Sequence, residues 1–204
     1  MPNFCKNNLQ ITGSTIQLSE FLNRSMILHT VNGIDTIQLT FEALLPTPDE
    51  LIKQSALFSG ENSEDLIEKY GYADWYSWRT NNWGTKWDAA HTVFIKKSDT
   101  EALIEFETAW APPVNWLQNI APQFSELRFK LVYSEPGFKF CGMATWDAEN
   151  GFDDEESDLE WKDQHGNLVE YDFNGLVWKI SETGEVIDET EFYPIEYNPY
   201  LNKL

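Results

Sequence analysis

The chain has 204 residues, 42% of them hydrophobic and 15% aromatic, enough for one buried core without disulfide or metal staples. Its formal charge of -20 disfavours direct binding to nucleic acid or anionic lipid, because repulsion would replace counterion release. No long apolar run is present, so no spanning helix is expected, and no apolar segment follows Lys6, so a signal peptide is not expected either. A cytoplasmic location fits this pattern. Cys5 and Cys141 then read as reduced thiols, since no CxxC or Cys/His cluster accompanies them.

Asn8 to Gly13 alternates polar and apolar residues and predicts a strand. Ser14 or Thr15 caps the next helix, which places Ile16, Leu18, Phe21 and Leu22 near one face. Asn32-Gly33 marks a turn, and Thr36 to Phe41 alternates as a second strand. Pro46-Thr47-Pro48 breaks the chain before a helix that opens with Asp49 and Glu50. Ser59 to Ser63 reads as a loop. From Glu64 a helix runs, with a kink at Gly71, as far as Gly84, which suits the left-handed position that ends many helices.

Trp87 to Ile95 and Ala102 to Trp110 predict a hairpin, with Ile104, Phe106 and Thr108 facing opposite to Glu105 and Glu107. Pro113 begins a helix whose apolar face is Trp116, Leu117, Ile120 and Phe124. Leu127 to Tyr133 and Phe138 to Thr145 predict two further strands around Glu135-Pro136-Gly137. The core order strand–helix–strand–strand–helix–strand is the ferredoxin-like pattern, an α+β class with a mostly antiparallel sheet and helices on one face.

After Trp146 the texture changes. Acids between Asp147 and Glu196 are opposed only by Lys162 and Lys179, so most of the net charge of -20 lies in about a quarter of the chain. Leu159 to Trp161, Leu168 to Phe173 and Leu176 to Ile180 alternate with turns at Gly166-Asn167, Asn174-Gly175 and Thr183-Gly184. Two or three antiparallel strands are expected, extending the sheet or forming a small meander, with residues 191–204 irregular. Residues 1–146 thus read as the ferredoxin-like domain and 147–204 as an acidic, aromatic-rich β extension of the same globular unit.

The chain carries Met1-Pro2-Asn3-Phe4-Cys5 with Asn8-Leu9 and Ile11-Thr12-Gly13, then Trp75 and Trp78 with the run Asn82 to Ala89, then Phe106 to Pro113, and Tyr133-Ser134-Glu135-Pro136-Gly137 before Phe138 and Gly142. Together these motifs resemble the YubB ferredoxin-like domain family of phage- and plasmid-borne proteins. Phe4 stands where that family has tryptophan. The resemblance covers roughly residues 1–146 and implies a ferredoxin-like sheet in a cytoplasmic accessory protein of a mobile element. It carries over no activity.

Two candidate sites follow from residue types. Asp74 to Asp88 holds four of the nine tryptophans among charges of both signs. Trp75, Trp78, Arg79, Asn82, Lys86, Asp88 and Trp110 could line a pocket or aromatic cage for a planar or cationic ligand. The competing reading is a core of packed rings with a hydrogen-bonded ion network. In that reading Trp78 and Trp87 are core residues. The second candidate is Asp153, Asp154, Glu155, Glu156, Asp158 and Trp161. Carboxylates steer and an aromatic anchors, which suits a basic protein partner.

Catalytic and metal sites are not expected. Gly84-Thr85-Lys86 lacks the glycine and hydroxyl spacing of a phosphate loop. His29, His91 and His165 have no neighbour at ligand spacing, and the acids at 153–158 do not match a calcium loop. The sequence therefore predicts no cofactor, no direct nucleic-acid binding and no membrane association. Three functions remain: a non-catalytic protein-binding accessory protein, a small-molecule binder or enzyme at residues 74–88, and a structural or assembly protein.

Overall fold

Period-two burial builds the central sheet. In β1 (Phe4–Gly13) the alternate residues Cys5, Asn7, Leu9 and Ile11 are buried, and in β5 (Glu101–Ala109) Ala102, Ile104, Phe106 and Thr108 are. The computed structural model describes residues 3–31, 34–57, 63–135 and 137–158, and the strands at 160–162, 168–171, 177–180 and 186–188. Side chains at 29, 31, 34, 35, 54–57, 63 and from 157 onward lie outside what is described.

The main sheet has six antiparallel strands. Besides β1 and β5, they are β4 (Ala90–Lys96), β6 (Leu127–Glu135), β7 (Phe140–Asp147) and β8 (Gly151–Asp158). Their order is β4-β5-β1-β6-β7-β8. The path from β1 to β4 flanks β5, and the path from β5 to β6 flanks β1. Those two crossovers make the ferredoxin-like unit, to which the β7–β8 hairpin is added.

The crossover helices bury one face of this sheet. Ser14 caps α1 (Thr15–Ser25) by accepting from the Gln17 N–H at 3.3 Å, and α1 buries Leu18, Phe21 and Ser25. Helix α5 (Val114–Ile120) buries Trp116, Leu117 and Ile120. Phe21 meets Phe124 at 5.3 Å and Phe129 at 5.4 Å edge to face, the arrangement ring quadrupoles favour.

Residues 26–89 are an insertion between α1 and β4. They hold the hairpin β2 (Met26–Val31) and β3 (Ile34–Leu39), then α2 (Asp49–Leu57), α3 (Ser63–Tyr70) and α4 (Trp75–Asn82). Strand β2 is absent from the sequence reading. The alternating stretch at 36–41 pairs with β2 in a separate two-stranded sheet rather than joining the main one. The helix expected to run from Glu64 to Gly84 is two helices, because Asp74 starts a new one by capping α4. The hairpin strand expected from Trp87 begins at Ala90, and its partner ends at Ala109, because Trp110 has a left-handed backbone with φ 65°.

The acidic stretch 151–158 is a strand although its side chains alternate in no apolar pattern. Its ladder with β7 pairs Asp147 with Gly151 through Phe140 with Asp158. Asp147 Oδ1 closes the turn by accepting the N–H groups of Glu149 at 2.9 Å and Asn150 at 2.7 Å. Asn150-Gly151 is the sequence signal that marks this hairpin. Beyond it, β9 (Glu160–Lys162), β10 (Leu168–Tyr171), β11 (Val177–Ile180) and β12 (Val186–Asp188) form a four-stranded antiparallel sheet in the order β12-β11-β10-β9. The turns expected at 32–33, 166–167, 174–175 and 183–184, the loop at 59–62 and the irregular end at 191–204 lie outside the described residues.

Candidate functional site

The tryptophan corner divides into an inner frame and an outer surface. Asp74 accepts from the Ser77 N–H at 2.7 Å, which fixes the start of α4. Gly84, at φ 86°, lets the chain leave that helix, and a Cβ there would lie 2.7 Å from the Pro112 carbonyl oxygen. Trp83 is 0% exposed and its Nε1 donates to the Leu45 carbonyl at 2.9 Å. Trp78 is buried beside it, ring centres 6.2 Å apart, and Trp75 packs against the same core.

Arg79 ties this frame together. Its Nε donates to Thr47 Oγ1 at 2.8 Å and its terminal nitrogen to Glu42 Oε2 at 3.2 Å. Its guanidinium lies 4.4 Å above the Trp83 ring and 5.2 Å above that of Trp75. Asp88 accepts from Thr40 Oγ1 at 2.7 Å, Phe41 N–H at 2.6 Å and Ala89 N–H at 2.8 Å. Asn82 donates to the Trp78 carbonyl at 2.8 Å. Arg79, Asn82 and Asp88 thus engage polar atoms within the frame, and Trp75 and Trp78 pack their rings there.

Lys86 and Trp110 lie elsewhere, with Trp87 and Tyr76. Trp87 is 41% exposed, so it is not the core residue that the sequence predicts. The loop between Trp83 and β4 turns its ring outward, where it meets Trp110, itself 38% exposed, at 5.8 Å. Lys86 Nζ sits 4.7 Å from the Trp87 ring centre, 5.4 Å from Trp110 and 5.7 Å from Tyr76. These three rings form a surface cage around the protein's own lysine. Tyr76 is missing from the sequence-based set, because nothing in local spacing links it to residues 86 and 110.

The acidic candidate is carried by β8, the outermost strand of the six-stranded sheet. Asp153, Asp154 and Glu156 are exposed and Glu155 is half-buried. Tyr133 Oη donates to Asp154 Oδ1 at 3.2 Å. This reach depends on Gly142 opposite Tyr133 in the β6–β7 ladder, where a Cβ would lie 2.4 Å from the phenol Cζ and Oη. Burial against this surface raises the carboxyls of Asp154 and Glu156 above their ordinary values, and Asp153 adds to the first and Asp154 to the second. Burial, then the charges of Asp154 and Glu156, push the Tyr133 phenol up. Asp158 ends β8 and Trp161 lies on β9, with side chains outside the described set.

Other chemistry is sparse. Cys5 is fully buried, and burial followed by Glu135 drives its thiol upward, which keeps it protonated. Among the described residues no three His, Cys, Asp or Glu side chains are placed to hold a metal ion, and no helix is long and apolar enough to cross a membrane.

Strand order and helix placement define an α+β protein with a ferredoxin-like sheet. Consistent with this, residues 82–173 match the family model described as the ferredoxin-like domain in Api92-like protein. That span begins at the end of α4 and takes in five of the six main-sheet strands. A crystal structure of protein api92 from Yersinia pseudotuberculosis is similar at 11% identity with a TM-score of 0.48, over 77% of this chain and 98% of that one. No curated protein matches the chain.

Proposed function

We propose that this chain is a non-catalytic accessory protein that binds a basic protein partner, including a nucleic-acid-handling one, through the acidic strand β8. One observation carries the reading. Asp153 to Glu156 run consecutively along the outermost strand, so carboxylates project from both of its faces. The fold holds them together against burial and mutual repulsion, which raise Asp154 and Glu156. An arriving lysine or arginine relieves both costs, whereas a phosphate backbone adds to them. The proposed mobile-element setting rests on the resemblance of residues 1–146 to the YubB family and fits an accessory role.

The test is capture of partners from nuclease-treated lysate at graded salt. Binding should weaken as the screening length shortens from about 10 Å at 0.1 M to about 3 Å at 1 M. Replacement of Asp153, Asp154, Glu155 and Glu156 with Asn or Gln should slow association while the fold persists. Tight DNA binding by the purified protein, or partner association indifferent to both salt and the substitutions, overturns the reading.

A second reading has its own support. Trp87 and Trp110 expose large rings beside Lys86, and Trp110 holds a strained left-handed backbone to do so. A planar or cationic small molecule on that surface would have to displace Lys86. Saturable quenching of tryptophan fluorescence that is lost in Trp110→Ala favours it over the first.

A further inference from the structure

We infer, resting on the small-molecule reading of the outer surface, that the Tyr76, Trp87 and Trp110 rings bind a small zwitterion with a trimethylammonium group and a carboxylate, and that Lys86 is the internal cation this ligand displaces. The surface already holds a cation. Lys86 Nζ lies 4.7 Å from the Trp87 ring centre, 5.4 Å from that of Trp110 and 5.7 Å from that of Tyr76, all within cation–π reach. None of the ion pairs among the described residues involves Lys86, although the chain has 34 acidic residues.

The fold sets these rings in place without a ligand. Tyr76 comes from α4, Trp87 from the loop before β4, and Trp110 from the residue after β5, and all three are exposed. The buried Thr85 hydroxyl donates to the Ala109 carbonyl at 3.1 Å, which ties the residue before Lys86 to the residue before Trp110. The Trp110 N–H donates to the Asn3 carbonyl at 3.0 Å, and this holds the residue at φ 65° with its ring beside that of Trp87. A bulky aromatic residue kept left-handed and partly in solvent costs stability, and such strain gathers at ligand sites.

Hydration and charge select the ligand. The lysine ammonium is a compact, strongly hydrated charge whose N–H groups find no acceptor on a ring face. A trimethylammonium group spreads the same charge over methyl groups and has no N–H to satisfy, so it gives up less water on the rings and outcompetes Lys86 there. The displaced ammonium stays on its four-carbon stem beside the site. A ligand that is only a cation then meets a like charge. A carboxylate a short chain away from the trimethylammonium group meets an opposite one and pairs with Lys86. Such a zwitterion has no net charge, so the overall charge of -20 does not recruit it and its binding reports the local site.

The experiment follows the tryptophan indole N–H resonances of the full-length chain during titration with glycine betaine, choline, acetate and the uncharged planar probe nicotinamide. Glycine betaine should give saturable shifts confined to Trp87 and Trp110 and bind about threefold to fivefold more tightly than choline, while acetate leaves both resonances in place. Lys86→Met keeps the apolar stem and removes both the competitor and the carboxylate's partner. In that variant choline should gain affinity and overtake glycine betaine. Tyr76→Ala, at an exposed helix position, should weaken both by about threefold to fivefold. Choline binding as tightly as glycine betaine in wild type, or an unchanged order in Lys86→Met, overturns the inference and leaves the small-molecule reading standing. Saturable shifts with nicotinamide alone do the same. No saturable shift at Trp87 and Trp110 with any probe overturns both.

Discussion

The backbone N–H of Phe41 donates to Asp88 Oδ1 at 2.6 Å, across an interval of 47 residues. This bond joins the loop after α4 to the segment that follows the β2–β3 hairpin. The other carboxylate oxygen takes the Thr40 hydroxyl at 2.7 Å, so one side chain satisfies two neighbouring donors. Phe41 is fully buried and its ring meets Trp83 at 5.7 Å. Loss of the carboxylate should therefore be felt in the core. Asp88→Ala is expected to cost about 1–3 kcal/mol, the range for leaving buried donors unmatched, read from urea unfolding midpoints. A midpoint equal to wild type would remove Asp88 from the frame.

Two tryptophans four residues apart should respond differently. Trp83→Ala empties a fully buried site and should cost about 3–5 kcal/mol. Trp87→Ala removes a ring that already meets solvent and should cost about 1 kcal/mol or less, the scale of an exposed ring pair or cation–π contact. Comparable thermal shifts in the two variants would contradict the division into inner frame and outer surface.

Gly142→Ala tests how Tyr133 reaches Asp154. The added methyl meets the phenol at 2.4 Å on one side and the Glu155 carbonyl oxygen at 2.5 Å on the other. Neither the strand backbone nor the buried ring has room to yield, so a loss of about 1–3 kcal/mol is expected, as for overpacked cores. The ultraviolet signature of the buried phenol should change with it. Full stability in Gly142→Ala would mean that the ring does not lie over the glycine.

Acidification should strengthen the fold through β8. Burial raises Asp154 and Glu156 in the folded state, so folding favours their protonated forms. Their contribution is fully present below the ordinary values of 3.8 for Asp and 4.5 for Glu, and is lost as pH rises through the higher folded-state values. Glu50, Asp99 and Asp147 are held down by hydrogen bonds from Lys69, Lys96 and Asn150, and they oppose this only below the ordinary range. Melting temperature should thus rise as pH falls from neutrality towards the ordinary carboxyl value of 4.5 more in wild type than in the Asp154→Asn, Glu156→Gln double variant. Parallel pH profiles would rule out the coupling.

Cys5 should resist alkylation in the native protein. It is fully buried, and its thiol is kept protonated by burial and by Glu135. Modification of Cys5, followed by peptide mapping, should proceed only as fast as the protein opens. Labelling on the timescale of a free thiol would show that β1 is accessible at its start.

Local pattern was enough for the elements whose burial is periodic. Strand β5 shows its buried face as Ala102, Ile104, Phe106 and Thr108, and α5 shows Trp116, Leu117 and Ile120. The ferredoxin-like order followed from these, because crossover rules leave few ways to arrange such strands and helices. Gly84 ended α4 for a reason contained in one residue type, its tolerance of φ 86°. The acidic bias of the last quarter of the chain is likewise a property of composition alone.

What composition and period left open was settled by partners far along the chain. Strand β8 exists because β7 pairs with it, although its acidic residues carry no apolar alternation. The hairpin β2–β3 stands apart from the main sheet because β5, not β3, occupies the place beside β1. Trp83 and Trp87 share a residue type and a neighbourhood, yet one is sealed under Phe41 and Leu45 while the other turns out to meet Trp110 and Lys86. Side-chain chemistry states what a residue can bury or bind. Which of its options is realised depends on the distant groups that the fold brings within a few ångströms, and that information is held by the tertiary contacts alone.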